Sequence, residues 1–501
     1  MEIKVVTEDI LGINTPAIII GLYEDSKELD SVAKILDEAM GGAISQLRNG
    51  QEIKGSSGEF TLIHTLGRIP AQRILVSGLG RKNNFDLNTV RALMGNASRY
   101  LRAKGILSFC TTAYGIESGI LKPVGCGQAI AEGAILGTYQ FHNYRTNKEN
   151  QGNTEEITIV SRESDLSGSL EIGVRQGEMI ANGVALSRDM SNTPANDLTP
   201  SKMAEIATTV AREGNLDITI LDRSNMEKLG MGALLGVARG SHQPPKLIAL
   251  EYKGDPDRPK HVLGLIGKGV TFDTGGISLK PALNMENMKG DMTGGSSVIG
   301  AMKAISALKP KINVTGVVPT TENMPGGDAQ RPGDIVRAMN NKTIEVINTD
   351  AEGRLILSDA MVYAVRKLGV SHMVDIATLT GAIIVSLGSV RIGVFGNNQE
   401  WIDQVVRTGN DGGERMWSFP MDDDYGEQLK STFADMMNVG GKEAGSITAA
   451  KFLSEFTEGV PWVHLDIAGS YRMSVDKGWH VKGSSGGPVR TLINLALADS
   501  F

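Results

Sequence analysis

Apolar positions in the first third of the chain change period several times. Short apolar or β-branched runs at 17–22, 73–76 and 106–112 read as strands. Between them, residues 29–47, 87–104 and 126–141 repeat apolar side chains at three- and four-residue spacing, which predicts helices. Residues 143–155, YRTNKENQGNTEE, are polar and turn-forming and predict a linker or exposed loop. A long helical pattern at 171–190 then runs into SNTPANDLTP, whose prolines forbid its continuation.

From there, helical patterns at 201–213, 295–308, 355–367, 446–456 and 488–497 alternate with strand patterns to the C-terminus. The strand patterns lie at 217–221, 247–252, 262–266, 314–318, 372–376 and 462–467. The predicted fold class is α/β in two domains. A small N-terminal α/β domain spans 1–160, and a larger C-terminal domain, 161–501, carries a mostly parallel sheet flanked by helices. In such a sheet the functional loops gather at the carboxyl ends of the strands.

Composition agrees with this and removes some function classes. At 501 residues the chain exceeds one ordinary core, and 41% hydrophobic with 21% charged residues is a globular balance. A net charge of −7 argues against a large electrostatic footprint for nucleic acid or anionic lipid. Two cysteines, Cys110 and Cys126, without a C-x-x-C pair, exclude a disulfide framework and a zinc knuckle. The start, MEIKVVTED, has no basic region followed by an apolar core, and no apolar run reaches the ~18–20 residues that span a bilayer. The expectation is a cytoplasmic protein.

Candidate chemistry lies in two stretches. In 264–295 an apolar strand ends at Gly267-Lys268-Gly269, and Asp273, Lys280 and Asp291 follow in glycine-rich loops. This is no phosphate-binding loop, because that motif needs Ser or Thr after the lysine and a glycine correctly spaced upstream. The second stretch, NTDAEGRL at 348–355, packs Asp350, Glu352 and Arg354 between a β-rich run at 343–347 and a helical pattern. Taken singly, these carboxylates serve as well as turn formers and helix caps, and Lys268 and Lys280 as solvated surface lysines. Taken together, Asp273, Asp291, Asp350 and Glu352 all fall at strand ends or helix starts along one sheet edge. Two like charges ~4 Å apart repel by about 4 kcal/mol at moderate effective dielectric, so four of them in one cleft call for cations. Paired divalent ions ~3.5–4 Å apart are one solution. Lys268 joins such a site only as a neutral amine, which a neighbouring dication favours. The seven histidines are scattered, with no HExxH, and His464 in WVHLDIAG reads as a core or loop-ordering residue.

NTDAEGRL resembles the signature octapeptide of the leucyl aminopeptidase (cytosol aminopeptidase, M17-type) family. GKGVTFDTGGISLKP at 267–281, MKGDM at 288–292, SNTPAN at 191–196, DIATLTGA at 375–382 and HLDIAG at 464–469 resemble that family's other segments in order. The resemblance runs from about residue 170 to the C-terminus. It implies a metallo-aminopeptidase that removes N-terminal residues, with a Leu-type preference, using two divalent ions per subunit, Mn²⁺ or Zn²⁺. By position it implies that Asp273 and Glu352 bridge the ions and that Lys268 and Asp291 complete the tighter site. Asp350 completes the more exchangeable one. Lys280 would polarise the scissile carbonyl and Arg354 cradle a bicarbonate. The implied substrate pocket comprises Met288, Thr378, Leu379, Gly381 and Ala468, with Tyr471 beside it. Family likeness also implies a homohexamer acting on peptides, and leaves DNA contact through the N-terminal domain as a side role that the acidic balance disfavours. Carboxylate-rich two-metal centres also hydrolyse phosphate esters, which makes a phosphoesterase the rival chemistry.

Overall fold

The computed structural model describes residues 1–26, 28–146, 152–162 and 164–498. The chain forms two compact units, Met1–Ala181 with Ser474–Lys482, and Asn182–Met473 with Gly483–Phe501. Their boundary falls inside the helix Ser164–Asn192, later in the chain than a break after residue 160. Among the described residues, no helix is long and apolar enough to cross a membrane.

In the first unit, β1 (Glu2–Val6), β2 (Ile18–Tyr23), β3 (Phe60–His64), β4 (Arg73–Gly80), β5 (Ser108–Thr112) and β6 (Glu156–Val160) form one sheet in the order β1-β6-β5-β2-β4-β3. All pairings are parallel except β3 with β4. β2 is apolar at almost every position because both faces are covered. Ile19 belongs to the core under the helices Leu87–Ala103 and Pro123–Gly137, and Ile18 and Ile20 to the core under Ser31–Ala39 and Ala43–Asn49. The single helix expected at 29–47 is therefore two. Gly41 and Gly42 take left-handed φ values of 69° and 83°, which ends the first helix and turns the chain into the second. The expected linker at 143–155 is irregular at 143–146 and 152–155, and 147–151 lie outside the described residues. β1 and β6 carry no periodicity long enough to announce themselves.

The second unit is built on a larger sheet. Its strands are β7 (Asp217–Leu221), β8 (Lys246–Lys253), β9 (Val262–Gly267), β10 (Gly269–Asp273), β11 (Asn313–Asn323), β14 (His372–Ala377), β15 (Ile392–Gly396), β16 (Met416–Ser418) and β18 (Trp462–Asp466). The order is β16-β15-β18-β14-β9-β11-β8-β7, with β10 beside the far end of β11. The centre, β18-β14-β9-β11, is parallel, while β8 and β15 join it antiparallel, so the sheet is mixed around a parallel core. β9 is buried at every position, as a strand covered on both faces requires. β12 (Ile335–Arg337), β13 (Thr343–Glu345) and β17 (Met436–Met437) make a small side sheet, and β19 (Arg472–Met473) pairs with β20 (Gly483–Ser484). The four parallel central strands end at Gly267, Asn323, Ala377 and Asp466, all on one edge.

Candidate metal centre at the carboxyl edge of the second sheet

Lys268 is the single residue between β9 and β10. Its amide donates to the Ile376 carbonyl at 3.0 Å and its carbonyl accepts from Gly295 N at 2.7 Å, which ties it to β14 and to the helix Thr293–Leu308. Its side chain, 3% exposed, runs along Gly353, where an added Cβ would lie 2.8 Å from Cδ, Cε and Nζ. That close approach is why a glycine separates Glu352 from Arg354. Lys268 Nζ sits 2.7 Å from Glu352 Oε1 and 2.8 Å from Asp291 Oδ2, and donates to the Thr378 carbonyl at 3.1 Å. Lys280, on the loop after β10, lies 2.8 Å from Asp273 Oδ2 and also contacts Asp350 Oδ1. One carboxylate oxygen from each of Asp273, Asp350 and Glu352 falls within 4.8 Å of the others.

The carboxylates do not act as caps. The residue before the helix Glu352–Leu368 is Ala351, and that before Thr293–Leu308 is Met292; neither end has a side-chain cap bond. Glu352 and Arg354 lie in the first helical turn, ahead of the expected start at 355. Asp273 does support a turn, since Oδ1 accepts from Gly275 N at 2.9 Å, but Oδ2 faces Lys280. Asp291 Oδ1 accepts from Thr378 Oγ1 at 2.7 Å, leaving Oδ2 to face Lys268. Asp291 Oδ2, Asp350 Oδ1 and both Glu352 oxygens are buried without a hydrogen bond among the described residues. What three of these oxygens face is a lysine ammonium: Lys268 beside Asp291 Oδ2 and Glu352 Oε1, and Lys280 beside Asp350 Oδ1.

Burial, then the Asp273 charge, raises Glu352 above the usual carboxylate range, and the same two causes raise Asp350. Burial likewise raises Asp291, well above its ordinary value. For Lys268, burial opposes the charge, but Asp291, Glu352 and Asp273 outweigh it and hold the ammonium on. Lys280 follows the same pattern, with Asp273, Glu352 and Asp350 as the holding charges. Four carboxylates share only two ammonium groups, which leaves a negative surplus on buried hard oxygens. Divalent cations suit that donor set.

Arg354 is buried. Its Nη1 donates to the Asn438 carbonyl at 2.8 Å, while Nε has no partner among the described residues. Burial lowers its pKa to about 10, with Glu352 and Asp466 opposing. The other expected positions gather at the same edge. Thr378, Leu379 and Gly381 follow β14, and Ala468 follows β18. Asp466 joins those two loops, accepting from Leu379 N and Ala468 N at 3.2 Å each and from Thr380 Oγ1 at 2.6 Å. Met288 lies in the 3-10 turn Met285–Gly290, where its carbonyl accepts from Asp291 N at 3.2 Å. The Tyr471 ring packs on Gly290, and its hydroxyl reaches the Asn287 carbonyl at 3.5 Å. His464 is the core residue its sequence context suggested, with Nδ1 2.7 Å from Asp375 Oδ1. Asp466, Asn323 and Thr349 were not anticipated. For Asp466 a signal existed, its place at a strand end inside HLDIAG.

Fold and cluster together define a class: a two-unit α/β protein with a buried carboxylate–lysine cluster, suited to divalent cations, at the carboxyl edge of its larger sheet. The profile of the cytosol aminopeptidase family, catalytic domain, matches residues 185–493, and that of the same family's N-terminal domain matches 19–148. The chain belongs to the cytosol aminopeptidase family, and it is an aminopeptidase. It is similar to a probable cytosol aminopeptidase of Alkaliphilus metalliredigens (strain QYMF), 44% identical over 99% of both chains. Another probable cytosol aminopeptidase, from Solibacter usitatus (strain Ellin6076), is 47% identical over 99% of both. Among solved structures, a tomato leucine aminopeptidase mutant superposes with a TM-score of 0.89 at 32% identity, covering 99% of this chain and 96% of that one. The bottromycin maturation enzyme BotP in complex with Mn gives 0.85 at 30%, covering 97% and 99%.

Proposed function

We propose that this aminopeptidase is metal-dependent, holding two divalent ions on Lys268, Asp273, Asp291, Asp350 and Glu352, and that it prefers leucine-type N-terminal residues. The observation that carries this reading is the gathering of four carboxylates around two lysines, with one oxygen each of Asp273, Asp350 and Glu352 within 4.8 Å of the others. The manganese in BotP and the leucine specificity named for the tomato enzyme support it. Bound there, the ions, manganese or zinc, would acidify a water and polarise a carbonyl. Lys268 would then be neutral, because the cations take over the carboxylates that now hold its proton.

The chain's own residues do the rest. Lys280, 22% exposed where Lys268 is sealed, reaches the open side of the cluster and donates to the substrate carbonyl oxygen. Arg354, at a helix start with a spare Nε–H, would hold a bicarbonate, which when bound would supply a proton acceptor. Met288, Leu379 and Ala468 offer apolar surface and Gly381 room for an aliphatic side chain, while Thr378 keeps Asp291 in place. The substrates are peptides with a free α-amine, the assembly is a homohexamer, and the compartment is the cytoplasm.

The test is to strip the protein of metal, reload it ion by ion, and assay aminoacyl p-nitroanilides beside p-nitrophenyl phosphate. Leucyl anilide hydrolysis that returns only with Mn²⁺ or Zn²⁺ is expected. Undiminished activity after stripping, or a preference for the phosphate ester, overturns the reading.

A further inference from the structure

Asn323 ends β11, 4% exposed, and no role above falls to it. Register places it beside Asp273, its parallel partner on β10. Its Nδ2 donates to Asp273 Oδ1 at 2.8 Å and to the Thr349 carbonyl at 3.0 Å. Two acceptors at those distances fix the orientation of the carboxamide. With Gly275 N also on Asp273 Oδ1 at 2.9 Å, that oxygen is fully engaged, and only Oδ2 faces the cluster.

The second acceptor matters as much. Thr349 immediately precedes Asp350, and its hydroxyl donates to the Gly275 carbonyl at 2.6 Å and accepts from Ser278 N at 2.8 Å. The Thr349 amide returns a bond to Ser278 Oγ at 3.1 Å. The Asn323 carbonyl in turn accepts from Thr274 N and Oγ1, both at 2.9 Å. Thus the loop carrying Asp273 and Lys280 is clipped to the loop carrying Asp350, Glu352 and Arg354, with Asn323 between them. Gly276 closes the clip: at its φ of 68°, an added Cβ would lie 2.8 Å from Asn323 Oδ1 and 3.1 Å from Thr349 Oγ1. An aspartate in place of Asn323 would set a carboxylate against Asp273, and an apolar residue would donate nothing. The amide supplies two N–H groups to two acceptors without adding a charge.

We infer that Asn323 is a positioning residue for the metal centre, making Asp273 a one-oxygen ligand and fixing the two ligand-bearing loops at their working separation. The inference rests on the two-ion reading above. It is tested by titrating metal-depleted full-length protein with Mn²⁺, comparing wild type, Asn323→Leu and Glu352→Ala. Asn323→Ser, which keeps one hydroxyl donor in less volume, replaces the leucine variant if that fails to fold. Loss of such a supporting bond typically weakens a metal site by about 10–100-fold. The expected result is a shift of that size in Mn²⁺ affinity and in the activation midpoint, with kcat recovering at saturating Mn²⁺. A merely structural defect would not recover with added ion. A folded Asn323 variant that binds Mn²⁺ as tightly as wild type overturns the inference. The two-ion reading survives that result if Glu352→Ala still loses the ions. A wild-type protein that takes up no Mn²⁺ overturns both.

Discussion

Replacing Glu352 by alanine is expected to abolish peptide hydrolysis and tight metal binding together. Asp273 and Asp291 each commit one oxygen to the protein, to Asn323 Nδ2 and Gly275 N in one case and to Thr378 Oγ1 in the other. Both Glu352 oxygens are buried without a backbone or hydroxyl donor among the described residues, and Oε1 faces the Lys268 ammonium at 2.7 Å. Once cations displace the Lys268 charge, both Glu352 oxygens are open to ligation, which suits a carboxylate shared between two ions. The variant also leaves Lys268 beside Asp291 without its 2.7 Å partner, so the ammonium keeps less of its anionic surroundings. Metal analysis of the purified variant and an assay on leucyl p-nitroanilide check both halves of the expectation. Wild-type metal content with normal hydrolysis would remove Glu352 from the centre.

Lys280→Ala should do the opposite to the two observables, keeping the ions and losing turnover. Lys280 pairs with Asp273 and Asp350 but is 22% exposed where Lys268 is 3%, so in the proposed mechanism it is the lysine that an incoming carbonyl can reach. Burial disfavours that charge, and Asp273, Glu352 and Asp350 hold it on. Removing a donor aimed at a developing oxyanion lowers kcat by about 10²–10³, equivalent to ~2.7–4 kcal/mol. The measurement is kcat beside ion content and thermal midpoint. Unchanged kcat would show that Lys280 only neutralises its carboxylate neighbours. Loss of ions would make it part of the metal shell.

Much of this was legible in the sequence, and the parts that were not have a common cause. β9 and β14 were readable because near-continuous burial leaves short apolar runs bounded by polar residues, and β7, a largely exposed edge strand, through its β-branched residues. The spacing of Asp350, Glu352 and Arg354 was readable as chemistry only through company, since alone it also fits a capped helix. The structure separates these readings, with Ala351 in the cap position and Gly353 making room for Lys268. The break between Ser31–Ala39 and Ala43–Asn49 was hidden because the apolar period continues across Gly41 and Gly42. Asn323, Thr349 and Asp466 were hidden for another reason. Their work is done by hydrogen bonds between loops far apart in sequence, for example the 50-residue separation of Asn323 from Asp273. No local pattern records such a bond.

The central claim is that carboxylates and a lysine from separate loops surround a pair of divalent cations. The most direct measurement is the number of ions bound per chain when metal-free protein is dialysed to equilibrium against Mn²⁺ or Zn²⁺ and analysed by elemental spectrometry. Two per chain, falling toward none in Glu352→Ala, is the predicted result. Wild-type protein that holds no ion, or a count that the Glu352 substitution leaves untouched, would contradict it.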